Sequence, residues 1–225
     1  MARPRVPLIS KRKVLEAALT IIDSEGLDAL SIRALARRLD INGASLYHHF
    51  ANKEQIIAGA ARLALDETVL TPDEDKPWRV WVLRNNRVLR QAFRDHPDLV
   101  PIVLKMGMLQ IAPTQIDQTT ARLRQEGVPV GAIIPMMDAL ERFAIGSALA
   151  ETGNGYQSIE HLPEEYQTQN LRDVFDNRAL TADEVFDKIS GQIIDSIVAT
   201  AAEREAEAPA QKPAVTKRRT PARKQ

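Results

Sequence analysis

Between residues 31 and 53 lie Ser31, Arg33, Ser45, Tyr47, His48, His49 and Lys53, a run of small, planar or cationic hydrogen-bonding side chains. Groups of this kind reach phosphate oxygens and base edges. Arg37 and Arg38 add charge that can neutralise phosphates. Catalytic chemistry finds less support. The chain has no cysteine, which excludes a thiol nucleophile, a disulfide framework and a Cys-ligated metal. No nucleophile–base pattern, paired-carboxylate motif or phosphate-cradling glycine loop stands out. His48 and His49 are adjacent, and neighbouring helical residues point about 100° apart, so they cannot easily share a metal. His96 and His161 are isolated. The expectation is nucleic-acid recognition with no cofactor and no metal, and not an enzyme.

The elements that must carry these residues are helical nearly throughout, because no stretch shows the two-residue alternation of a strand. Ser10 can cap a helix whose stripe is Val14, Leu15, Ala18, Leu19 and Ile22, ended by Gly26. Ser31 can cap a short helix with Leu35 and Leu39 inward. Asn42-Gly43 marks a turn, and a third short helix buries Leu46 and Phe50. Asn52 with Gln55 makes a capping box for a fourth. Two short amphipathic helices joined by a tight turn are the sequence form of a helix-turn-helix, whose second helix enters a major groove. Residues 71–77, with two prolines and three acids, read as a linker. Longer helices follow at about 78–94, 97–109, 113–126, 129–151 and 181–202.

The 225 residues carry 30 basic and 30 acidic side chains, unevenly spread. Residues 1–60 hold 9 basic and 6 acidic groups, residues 61–206 hold 15 and 23, and residues 207–225 hold 6 and 1. A basic module, an acidic body and a basic tail fit a DNA contact at one or both ends. For the tail a merely solubilising role competes. No apolar run approaches the roughly 18 residues of a membrane span. The basic N-terminus lacks the apolar stretch of a signal peptide, so a cytoplasmic protein is expected.

The run from Ser31 through Leu35-Ala36, Asn42-Gly43-Ala44-Ser45-Leu46-Tyr47-His48-His49-Phe50 and Asn52-Lys53-Glu54 resembles the DNA-binding signature of the tetracycline-repressor family. The resemblance covers about residues 10–60. It implies that Ser31 and Arg33 touch the backbone and a base, and that Gly43, Ala44 and Ser45 form the tip entering the groove. It implies that Tyr47 and His49 hold phosphates, that His48 faces a base edge or backbone, and that Lys53 binds phosphate. Asp40 departs from the family's usual glycine, at a small expected stability cost.

Beyond the linker, the 129–151 helix is apolar nearly all round, and the 181–202 helix carries a wide stripe. Gly146, Ser147 and Gly191 allow close approach, so two such helices from each of two chains would form a four-helix dimer interface. A single large monomeric core is the competing account. The segment Trp78-Arg-Val-Trp-Val-Leu-Arg-Asn-Asn-Arg is similar to the first ligand-domain helix of the tetracycline-repressor subgroup itself, and Phe143-Ala-Ile-Gly-Ser-Ala-Leu to its dimer helix. That likeness makes Asn86 a ligand-binding candidate, and Asn85 lies near the same apolar stripe. Met106, Met108, Met136 and Met137 with Trp81 and Phe143 suggest an adaptable, mostly apolar pocket, with ordinary core roles competing for each. The subgroup's metal-chelate histidine and glutamate fall on Leu104 and Ala150, so no tetracycline–metal complex is expected.

The expected protein is all-α: a basic arm (1–9), a helix-turn-helix domain with its connecting helix (10–70), a helical ligand-binding and dimerisation domain (71–204) and a disordered basic tail (205–225). Its expected function is a homodimeric repressor released from its double-stranded DNA operator by a small, mostly apolar effector. The alternatives are a helical carrier or enzyme with a structural helix-turn-helix, and a non-specific DNA-binding protein.

Overall fold

The computed structural model describes residues 9–66, 75–152 and 158–207, and these are all-α with short 3-10 turns. Residues 1–8 of the basic arm, most of the linker and residues 208–225 of the basic tail lie outside the described residues, while residues 205–207, expected in the disordered tail, end a helix instead.

Helix α1 (Lys11–Glu25) begins where Ser10 Oγ accepts from the Lys13 amide at 3.2 Å. It ends at Gly26, whose φ of 83° suits a residue without Cβ. Helix α2 (Ile32–Leu39) is capped by Ser31, whose Oγ accepts from the Ala34 amide at 3.0 Å. Asp40 closes it in the left-handed region, at φ 52° and ψ 48°. The family's glycine preference at this position therefore has a local cause, and Asp40 holds the same turn with a Cβ present. Helix α3 (Lys53–Asp66) starts at Asn52, which accepts from the Gln55 amide. Gln55 reaches back to the Ala51 amide rather than to Asn52, so the box closes one residue earlier than expected.

The body comprises α4 (Trp78–Asp95), α5 (Leu99–Met106), α6 (Met108–Ile111), α7 (Pro113–Gln125), α8 (Val130–Thr152), α9 (Gln169–Asp176) and α10 (Ala182–Glu207). The single helix expected over 97–109 is two, because Gly107 takes φ 74° and breaks the helical run. Thr181 and Glu184 form a capping box at the start of α10. That helix continues five residues past 202, to Glu207.

Two apolar clusters hold the chain together. One joins Val14, Ile22, Leu35 and Leu46 of the first helices to Leu89, Phe93, Leu99 and Ile102 of the body. The helix-turn-helix module thus shares its core with α4 and α5 rather than standing apart. The other cluster packs Trp81, Leu123, Ile133, Met136, Leu140 and Ile194 where α4, α7, α8 and α10 meet. Helix α8 leaves Val130, Ile134 and Leu149 exposed, and α10 leaves Val185 exposed.

Candidate nucleic-acid interface and body cavity

The second helix of the motif is a 3-10 helix over Gly43–His48 and not the α-helix expected. Asn42 explains its start, because its Oδ1 accepts from the Ala44 amide at 2.9 Å. Three residues per turn eclipse side chains at i and i+3. Gly43, Leu46 and His49 share one row, with Leu46 fully buried as the keel. Ala44 and Tyr47 share the outer row, both exposed, with Tyr47 58% accessible. Ser45 and His48 flank it, His48 exposed and Ser45 half-buried. The tight winding is thus what aligns the small Ala44 with Tyr47 on the solvent side.

Ser31 is exposed with its hydroxyl engaged in the α2 cap, and Arg33 and Arg37 are exposed beside it. Arg38 lies 3.8 Å from Glu25. His49 is half-buried, its ring edge-on to Phe50 with centroids 6.5 Å apart. Lys53 is the first residue of α3, where free amides and the helix dipole favour an anion. The described structure therefore brings Ser31, Arg33, Gly43, Ala44, Ser45, Tyr47, His48, His49 and Lys53 into one continuous segment of α2, the turn, the 3-10 helix and the start of α3.

The module is fastened to the body by polar links as well as by the shared core. His96, at the end of α4, places Nδ1 3.0 Å from Asp23 of α1. Arg62 of α3 donates to the Ile111 carbonyl at the end of α6.

Within the body, α4, α6, α7 and α8 line a cavity of about 100 Å³. Trp81, Asn86 and Met137 line it, as the sequence led us to expect. Met106 and Phe143 do not, which corrects those two expectations. Met106 faces a cleft between the module and α6 with Lys11, His49 and Arg62, because the break at Gly107 turns it away from Met108. Phe143 stacks on Phe186 at 5.0 Å with ring planes 7° apart, a core contact between α8 and α10. Met108 and Asn85 line the cavity too, as their pattern suggested, whereas Met136 packs in the core cluster instead. Sequence reasoning missed Thr119 and Glu141 in the wall. For Glu141 a signal existed: it is one of the few charged residues in an otherwise apolar helix. Leu104 is 67% exposed and Ala150 is exposed, and neither lines the cavity.

The amide of Asn86 donates to Ser190 Oγ at 2.9 Å in a fully buried contact. Burial, with Asp138 adding like charge, pushes the Glu141 carboxyl up to about 7, and Arg142 only partly opposes this. Nearby, Arg90 is buried at the junction of α4, α8 and α10. Its guanidinium grips Glu151, donates to Asp183 at 2.9 Å and lies 4.5 Å over the Phe186 ring.

Known proteins share both halves of this arrangement. The family model described as bacterial regulatory proteins, tetR family, matches residues 14–60. That for the tetracyclin repressor-like C-terminal domain matches residues 71–181. The chain belongs to the tetracycline-repressor family of bacterial regulatory proteins. It is accordingly a DNA-binding transcription regulator, and its curated relatives are regulators too. The tetracycline repressor protein class A from transposon 1721 of Escherichia coli is 29% identical over 82% of this chain and 88% of its own length. Apo ActR from Streptomyces coelicolor superposes with a TM-score of 0.67 at 27% identity, over 88% of this chain and 99% of ActR. ActR in complex with actinorhodin superposes at 0.61, again at 27% identity, over 86% and 98%. Among the described residues no helix is long and apolar enough to cross a membrane.

Proposed function

We propose that the protein is a cytoplasmic, homodimeric repressor without enzymatic activity, released from its operator by a small, mostly apolar effector that binds the body cavity. The observation that carries this reading is a single continuous link from cavity to DNA-binding module. Met108, at the start of α6, lines the cavity, and Ile111, four residues into the same helix, holds Arg62 of α3. The cavity of about 100 Å³ is smaller than the roughly 300–1,000 Å³ of a typical ligand pocket. A larger effector must therefore displace flexible side chains such as Met108 and Met137, and with them α6. The likeness to ActR, solved with actinorhodin, supports reading the body as the effector-binding part.

Release follows from differential binding. An effector that fits only the expanded body stabilises it over the operator-bound form, and the shift is limited by its affinity ratio for the two states. Two recognition segments must be held about 34 Å apart to read successive major grooves. The exposed apolar side chains Val130, Ile134 and Leu149 of α8 and Val185 of α10 support a partner copy packed on these helices.

In the proposed interface Tyr47, His49 and Lys53 hold phosphates, and Ser31, Arg33 and His48 reach backbone or base edges. Gly43, Ala44 and Ser45 form the tip. Gly43 and Ala44 offer no hydrogen-bonding side chain, so specificity rests on few direct contacts together with methyl contacts and DNA shape. The test is binding to DNA from immediately upstream of the protein's own gene against scrambled DNA, across a salt series. A saturable complex far tighter than that with scrambled DNA is expected, and Tyr47→Ala and Lys53→Ala should each weaken it about tenfold with the body still folded. Unchanged affinity in both variants removes the site assignment. Equal, steeply salt-dependent binding to both DNAs by a protein truncated after Glu207 favours a non-specific DNA binder instead.

A further inference from the structure

Among the described residues the wall of the body cavity contains one charged side chain, Glu141 of α8. Around it stand apolar groups and the neutral hydrogen-bonding residues Asn85, Asn86 and Thr119 from α4 and α7. Among the described residues no cation lines the cavity. On α8 itself the neighbouring cation, Arg142, is exposed and donates to Asp138 at 3.0 Å, and Asp138 brings only like charge. Among the described residues Glu141 has neither a hydrogen bond nor an ion pair, and Asn85, 6% exposed, has no side-chain hydrogen bond. A carboxylate placed in an apolar wall without a partner is an unfavourable arrangement that a bound cation would relieve.

We propose that this cavity takes small apolar molecules bearing a protonated amine, with Glu141 as the anionic anchor and Asn85 as a neutral hydrogen-bond partner. The proposal rests on the reading of the cavity as the effector site and gives that effector a chemical class. An ammonium donating to Glu141 forms a charge-assisted hydrogen bond in a partly dehydrated site, where it is stronger than in water. Met108 and Met137 can reshape around the apolar part. A carboxylate ligand of the same shape meets like charge and is rejected. The upward-shifted carboxyl fits this role, because a bound cation favours its ionised form.

Benzylamine, benzyl alcohol and benzoate test the proposal, being close in shape and different in charge. Each is titrated calorimetrically into the full-length protein at pH 7.5. Benzylamine is expected to bind at least tenfold tighter than benzyl alcohol, with benzoate weakest. In Glu141→Gln the amine should lose at least tenfold, and benzyl alcohol should stay within about threefold. The proposal is overturned if no probe binds, if the amine is no tighter than the alcohol, or if its preference survives in Glu141→Gln. The three-probe comparison on the unaltered protein stands even if that variant does not fold. Adding benzylamine to the operator complex separates the two readings. Amine-selective binding that leaves DNA affinity unchanged supports the amine site and refutes its role as the effector site.

Discussion

Arg90 offers a sharp test of what ties α4 to α8 and α10. In Arg90→Met the apolar stem is kept and the guanidinium is lost. Three interactions go with it. The first is the buried grip on Glu151, whose side chain is 17% exposed. Charge-assisted contacts of this kind contribute about 1.5–3 kcal/mol. The second is the cation–π contact with Phe186 at 4.5 Å, worth on the order of 1 kcal/mol when largely dehydrated. The third is the bond to Asp183, a side chain 76% exposed, which adds little. Arg94, at 3.3 Å, still faces Glu151 and softens the loss. The expected destabilisation is about 3 kcal/mol. For a chain of this size that lowers Tm by roughly 6–12 °C. Urea unfolding followed by circular dichroism, at fixed protein concentration, measures it. Much of the loss comes from taking the principal cation away from the buried Glu151 charge, so adding Glu151→Gln to Arg90→Met should recover at least about 1 kcal/mol. A single variant within about 0.5 kcal/mol of the parent, or a double variant less stable than Arg90→Met alone, refutes the assignment.

Other substitutions probe the remaining links. Leu46→Ala removes the buried keel of the 3-10 helix and should cost about 3 kcal/mol. Because the module shares its core with α4 and α5, unfolding should remain one transition, and a separate early melt of the module would contradict the shared core. Asp40→Gly relieves a left-handed residue, and after the entropy lost by glycine it should raise stability by about 0.5 kcal/mol, visible as a small rise in Tm. A fall in Tm would show that Asp40 contributes more than its backbone costs. For Glu141 the folded carboxyl titrates near 7, above its ordinary value of 4.5. Between those values the folded state binds more protons than the unfolded state, so its contribution to stability falls as pH rises from about 4.5 to about 7. Glu141→Gln should therefore gain Tm relative to the parent at pH 8 compared with pH 5, and an equal difference at both pH values counts against burial as the cause.

The linear chain determined the elements whose signals are local. Ser10, Ser31 and the Thr181–Glu184 box start helices through side-chain oxygens a few residues from the amides they satisfy, so spacing alone suffices. The apolar stripes of α1 and α2, the turn at Asn42 and the inward Leu46 and Phe50 were legible for the same reason. So was the all-α class. The winding of the recognition segment was less legible, because a six-residue stretch has no period long enough to separate 3-10 from α. Tertiary structure decided which side chains meet in the body. Met106 and Met108 are equivalent by residue type and two apart in sequence. Only the backbone turn at Gly107 sends one to the module cleft and the other to the cavity wall. Phe143 and Glu141 lie on one apolar helix, and their roles depend on which neighbour packs there: Phe186 of α10 in one case, the gap beside α4 and α7 in the other. Periodicity identifies a buried face, while the partner that covers it is set by how distant segments pack together.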